Sequence, residues 1–132
     1  MLAQMGHGDT LVVADANFPA VSVARRLVRL DGVDTSVALR AVLTLLPIDQ
    51  YVTCPAAVMA VVDDPDATPE TYGDFQRILD AAEGRHVDME RVERFAFYER
   101  ARQAFGVVAT SELRLYGNII LSKGVIAPTT AR

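Results

Sequence analysis

Three polar clusters interrupt an otherwise apolar chain of 132 residues, and each carries side chains able to handle protons or hydroxyl groups. The first is Met5-Gly6-His7-Gly8-Asp9, which leads through Thr10–Ala14 into Asp15-Ala16-Asn17-Phe18-Pro19-Ala20. Glycines on both sides of His7 let the backbone turn tightly and leave the imidazole open to a ligand. An unperturbed histidine titrates at about pH 6.5, so it both gives and takes a proton near neutrality. Asp15 closes a β-branched run, and open α/β sheets bind their ligands beyond the carboxyl ends of strands. Together they offer an acid/base imidazole and a carboxylate able to orient it or to bind hydroxyls. The blander reading is a solvated loop histidine and an Asx-turn aspartate.

The second cluster is Arg94-Phe95-Ala96-Phe97-Tyr98-Glu99-Arg100. Arg94 presents a fork of N–H donors suited to hydroxyls or a carboxylate, and Phe95, Phe97 and Tyr98 could wall a pocket. The competing reading puts the aromatics in the core and the charges on a solvated helix face. The third cluster is Tyr116-Gly117-Asn118, ahead of Ile119-Ile120-Leu121. A phenol and an amide flanking a glycine can hydrogen-bond a polyol from two directions, but the same tripeptide also reads as a tight turn.

The elements that must position these clusters alternate. Thr10–Ala14 reads as a buried strand, and Phe18-Pro19 forces extended backbone and a turn. Leu27–Leu30 suggests a second strand ending at Asp31-Gly32. Asp34-Thr35-Ser36 supplies N-cap candidates for a helix through Leu46, stopped by Pro47. Ala56–Val62 reads as a central strand. Thr68-Pro69 opens a helix running to about Ala82, with Gly84 as its stop. A short extended piece at Val92–Phe95, a helix from Ala96 to Phe105, and strands at Val107–Thr110 and Asn118–Leu121 complete the pattern. Glu99 and Arg102 are spaced to pair on that last helix. Strands alternating with helices imply one domain over residues 1–132, a three-layer α/β/α sandwich around a mainly parallel sheet.

Composition narrows the function. Asp and Glu outnumber Lys and Arg by 17 to 13, and the net charge of −4 argues against a nucleic-acid partner, which needs clustered basic residues. The longest apolar run, Ala56–Val62, falls far short of the roughly 20 residues that span a bilayer, so no membrane partner is expected. No secretory signal pattern is present, and Cys54 is the only cysteine, so a reducing cytoplasm fits best. One cysteine with His7 and His86 cannot complete a typical zinc ligand set. Dinucleotide, P-loop and zinc-protease motifs are missing as well, so no metal or cofactor is expected. Half of the residues are apolar (51%), more than a small core needs, and the surplus points to a subunit interface.

Taken together, Met5–Asp9, Asp15–Ala20, Arg94–Arg100, Ala104-Phe105 and Tyr116–Gly124 resemble the ribose pyranase / fucose mutarotase family, in order and over nearly the whole chain. The Gly-His-Gly-Asp form and Phe95–Arg100 lean toward its fucose mutarotase branch. The resemblance implies an α/β/α fold assembled into homo-oligomeric rings, commonly decamers, with sites near subunit boundaries. It implies cofactor-free interconversion of the anomers of L-fucose or a related monosaccharide. His7 then matches the proton-donating histidine, and Asp15, Arg94, Tyr116, Gly117 and Asn118 match sugar-binding positions. It further implies a helix ahead of this start, of which Leu2–Met5 would be the last turn, and no site residue between Ala67 and Val87. Three other readings stay open: a pyranase acting on D-ribose, a non-catalytic monosaccharide-binding module, and a purely structural ring former.

Overall fold

The computed structural model describes residues 1–128. After a 3-10 turn at Leu2–Gln4 the chain runs β1 (Thr10–Ala14), α1 (Ala20–Val23), β2 (Leu27–Leu30), α2 (Thr35–Leu43) and β3 (Ala56–Met59). It continues through α3 (Glu70–Glu83), β4 (Met89–Val92), α4 (Arg94–Gln103), β5 (Gly106–Thr110) and β6 (Ile119–Ser122). The six strands form one sheet in the order β2-β5-β1-β6-β3-β4. Five strands are mutually parallel, and β6 runs antiparallel between β1 and β3. The expected mainly parallel α/β/α sandwich is therefore the observed one.

Strand periodicity divides the core between the two faces. Leu11 and Val13 of β1 pack with Leu39 of α2 and Phe75 and Leu79 of α3. Val12 and Ala14 point the other way, onto Val23 of α1 and Phe97 and Ala101 of α4. Each fully buried Leu, Val or Phe side chain contributes about 1.5–3 kcal/mol relative to exposure. The central strands are apolar on both faces because helices cover both.

Element ends follow the local chemistry. Asp34 caps α2 through its carboxylate and the Val37 N–H at 2.8 Å. Gly84 ends α3 at φ 68°, in the left-handed conformation. Helix α4 starts at Arg94 rather than Ala96, because the Glu93 carboxylate accepts the N–H groups of Phe95 and Ala96. That cap also shortens the extended piece expected at Val92–Phe95, whose strand is instead Met89–Val92. Strand β3 stops at Met59, three residues short of Val62, where the chain turns through Asp63 at φ 65°. Glu99 and Arg102 do pair, at 3.3 Å.

A buried ionic strut ties the β5–β6 connection to the helices on one face. Glu112, only 4% exposed, accepts from the Thr35 hydroxyl and from the Arg114 guanidinium at 2.8 Å. Arg114 also reaches Asp74 of α3 at 2.6 Å and the Ser36 hydroxyl of α2. Burial alone pushes the Glu112 pKa up. The hydrogen bonds and charge of Arg114, with the Thr35 hydroxyl, overturn that and bring it from the ordinary 4.5 to about 2.

Replacing Glu112 with Gln should therefore lower stability at pH 7 by on the order of 3 kcal/mol, read as a urea midpoint at fixed protein concentration. A depressed folded-state pKa stabilises fully above about pH 4.5, and that stabilisation is lost as the pH falls toward about 2. The gap between wild type and variant must close across that window. A gap that stays constant with pH would mean that Glu112 acts through packing alone.

Candidate active site

Asp15 follows the last residue of β1 and is 5% exposed. Its backbone and carboxylate are both fixed. The main-chain N–H donates to the Asn118 amide oxygen at 2.7 Å, and the carboxylate accepts the N–H groups of Asn17 at 3.0 Å and Gly117 at 3.1 Å. Asn118 and Gly117 lie just ahead of β6, so the antiparallel course of that strand brings them to the carboxyl end of β1. Gly117 is required by close approach. A Cβ there would meet the Glu112 Cγ at 2.9 Å and the Asp15 Cβ at 3.2 Å.

Burial pushes the Asp15 pKa up, partly offset by the N–H groups of Gly117, Asn17 and Phe18, while the charge of Glu112 adds to the rise. A carboxyl group in this setting can accept hydroxyl hydrogen bonds in a fixed direction, and it holds a proton more readily than an exposed aspartate.

These groups border a cavity of about 220 Å³, smaller than the roughly 300–1,000 Å³ of clefts that hold drug-sized ligands. Asp15, Arg94, Tyr116 and Asn118 all line it, joined by Tyr98, Phe18, Met59 and Val62. Tyr116 stands at φ 56°, and its phenol oxygen accepts the Val62 N–H at 3.1 Å. The phenol proton is thereby left to donate elsewhere. Arg94 is exposed and lies over the Phe95 ring at 4.6 Å. The aromatic run divides three ways. Tyr98 walls the cavity, Phe97 is core, and Phe95 lines a neighbouring cavity of about 470 Å³ that shares Arg94 and Val62.

His7 is elsewhere. It precedes β1, whose five residues span roughly 16 Å, so His7 and Asp15 sit at opposite ends of the same strand. Within one chain Asp15 does not orient the imidazole, contrary to one of the roles open to it from sequence. Asp49 does, with its Oδ1 3.1 Å from His7 Nε2. Asp49 is 3% exposed, and its pKa is lowered chiefly by the Tyr51 N–H, against burial and with help from His7. An ionised carboxylate can only accept, so Nε2 carries the proton and Nδ1 faces away as acceptor or, when protonated, donor. The Tyr51 ring packs edge-on against the imidazole at 5.4 Å. Gly8, at φ 87°, donates its N–H to the Lys123 carbonyl and anchors the loop to the end of β6.

Asp49 escaped the sequence reading because it lies 42 residues from His7, in a segment that reads only as the exit from α2. The one available signal is an acid placed between the Leu45–Ile48 apolar run and the aromatic Tyr51. Phe18, Met59 and Val62 likewise read as ordinary core or strand residues. His86 is exposed and pairs with Asp80 and Asp88. Cys54 is a free thiol. Among the described residues no helix is long and apolar enough to cross a membrane, and no cluster of three or more His, Cys, Asp or Glu could hold a metal ion.

Comparison with known proteins gives the family. The model of the RbsD / FucU transport protein family matches residues 1–126. Fucose mutarotase from Homo sapiens is 49% identical over 132 residues, covering 96% of this chain and 85% of that protein. The solved fucose mutarotase from Streptococcus pneumoniae, in complex with L-fucose, superposes with a TM-score of 0.87 at 40% identity, covering 96% of this chain and 89% of that one. RbsD from Bacillus subtilis, solved with D-ribose, has a TM-score of 0.72 at 20% identity, with 96% and 89% covered, and shares the fold. The chain belongs to the RbsD / FucU family.

Proposed function

We propose that this chain is a fucose mutarotase, an isomerase that interconverts the α and β anomers of L-fucose by acid/base opening and reclosure of the ring. The observation that carries the reading is the cavity in which Asp15, Tyr116 and Asn118 converge at the carboxyl end of β1, in a chain 40–49% identical to fucose mutarotases. D-ribose as substrate has weaker support, since the ribose-bound relative shares only 20% of its sequence.

Ring opening needs one proton delivered to the ring oxygen and one removed from the anomeric hydroxyl. Rotation of the aldehyde and reclosure then invert the anomeric carbon. The constrained Asp15 carboxylate, the Tyr116 phenol and the Asn118 amide form the recess that holds the hydroxyl pattern, with Arg94 at its mouth. His7 shuttles the proton through Nδ1, while Asp49 fixes the ring and stabilises the imidazolium when it forms. General acid/base catalysis supplies about 10²- to 10⁴-fold, enough for a reaction that free sugars undergo unaided.

No single sugar reaches both Asp15 and His7 of one chain, so the complete site joins the His7 end of one copy to the Asp15 cavity of another. Leu115, 67% exposed, Phe95, 65% exposed, and Val62, 42% exposed, form an apolar rim beside that cavity, as expected of a surface covered in a homo-oligomeric ring. A free Cys54 suits a reducing cytoplasm.

Two outcomes follow. His7→Ala should slow L-fucose anomer exchange by about 10²-fold or more while fucose still binds, as measured by saturation-transfer NMR and ligand-induced stabilisation. Unchanged exchange would remove His7 from the reaction, and fucose stabilisation without faster exchange in the wild type would favour a binding module. Secondly, His7→Ala and Asp15→Asn, each inactive alone, should regain exchange when unfolded together and co-assembled. Mixed oligomers verified by native mass spectrometry but still inactive would show that no site is shared between copies.

A further inference from the structure

Tyr116 holds φ at 56°, a left-handed conformation that a bulky side chain adopts only when its surroundings over-determine it. The strained residue is the one whose phenol lines the sugar cavity. Two of its substituents are pinned. The phenol oxygen accepts the Val62 N–H at 3.1 Å, and the main-chain carbonyl accepts the Thr71 hydroxyl at 2.8 Å. With side chain and carbonyl both held, and Arg114 two residues earlier tied to Glu112 and Asp74, rotation about φ cannot relax without breaking one of these contacts.

Thr71 is unusual among first-turn helix residues. It is 1% exposed, and its hydroxyl donates out of α3 to a carbonyl 45 positions away in sequence. A helix N-terminus has a surplus of N–H donors and needs acceptors, so this donated bond serves the turn and not the helix. The same helix meets the turn a second time, where Asp74 accepts from Arg114 at 2.6 Å.

We infer that Thr71 is a positioning residue for sugar recognition, its hydroxyl acting through the Tyr116 carbonyl to keep the phenol facing the cavity. The inference rests on the mutarotase reading for its readout. When only a fraction of molecules holds Tyr116 in the competent conformation, apparent affinity falls by that fraction, while the complex once formed is unchanged. Loss of the hydroxyl therefore appears in half-saturation and not in the rate at saturation.

Thr71→Val removes the donor and keeps the shape. It should raise the L-fucose concentration for half-maximal exchange about five- to tenfold, the worth of one neutral hydrogen bond, with saturated exchange within about twofold of wild type. Thr71→Ser, which keeps the hydroxyl, should restore half-saturation. In a Tyr116→Phe background Thr71→Val should add little, because the group it positions is gone. Unchanged half-saturation in Thr71→Val, or an equal effect in the Tyr116→Phe background, would overturn the inference. Where Thr71→Val does not fold, Thr71→Ser against Thr71→Ala makes the same comparison. Failure of the wild type to exchange fucose anomers would overturn the mutarotase reading instead. The clamp would then be judged from a crystal structure of Thr71→Val, supported by a relaxed, negative φ at Tyr116 and overturned by a retained left-handed one.

Discussion

The antiparallel course of β6 between β1 and β3 is the constraint on which the rest depends. Were β6 parallel to its neighbours, Gly117 and Asn118 would lie at the amino ends of the strands, away from Asp15. Running as it does, β6 delivers an amide and an N–H to the carboxyl end of β1. Its far end delivers Lys123 and Gly124 to the opposite edge, where the Lys123 carbonyl receives the Gly8 N–H beside His7. Both ends are packed without slack. A Cβ on Gly124 would come within 2.7 Å of the Ile48 carbonyl oxygen, immediately before Asp49. One strand thus sets the positions of both polar clusters.

The environments at the two ends push their carboxylates in opposite directions. Asp15 is buried, its N–H donors only partly offset that burial, and Glu112 adds like charge, so its pKa rises. Asp49 is equally hidden from solvent, yet the Tyr51 N–H and the imidazole outweigh burial, so its pKa falls. The lowered one lies against His7 Nε2, and the raised one lines the cavity with Tyr116 and Asn118.

Much of the fold was legible because periodicity and punctuation agree. Thr10–Ala14, Leu27–Leu30 and the helix after Asp34 were readable from β-branched runs, an Asx cap and terminal glycines. What local pattern cannot carry is pairing across sequence distance. The boundaries of β3 and α4 shifted because a turn at Asp63 and a cap at Glu93 prevailed over apolar continuity. His7, Asp15, Arg94, Tyr116 and Asn118 stand out in the sequence as polar residues at element ends, and the fold brings the last four to one cavity. The strand read at Thr10–Ala14 already separates His7 from Asp15, but local pattern does not say which distant segment each end meets. Asp49 had only a weak local signal, because its contact with His7 forms only when the exit of α2 folds against the end of β6.

In the proposed ring, the separation of His7 from the cavity would account for the exposed apolar side chains beside it. A complete site inside one small chain would need its proton donor and its hydroxyl-binding groups on the same side of the sheet, with a wall enclosing them. Here the cavity that holds Asp15 is bordered by exposed apolar side chains, Leu115 and Val62, with Phe95 beyond them. Water has free access to such a mouth, and hydrogen bonds to sugar hydroxyls compete poorly with water there. Covering that rim with a second copy removes the water, buries the apolar side chains and, in the proposed ring, brings an imidazole already oriented by Asp49. The same contact would then supply assembly energy, lower the local polarity and complete the proton path, so that in the proposed ring recognition and chemistry would arise together from association.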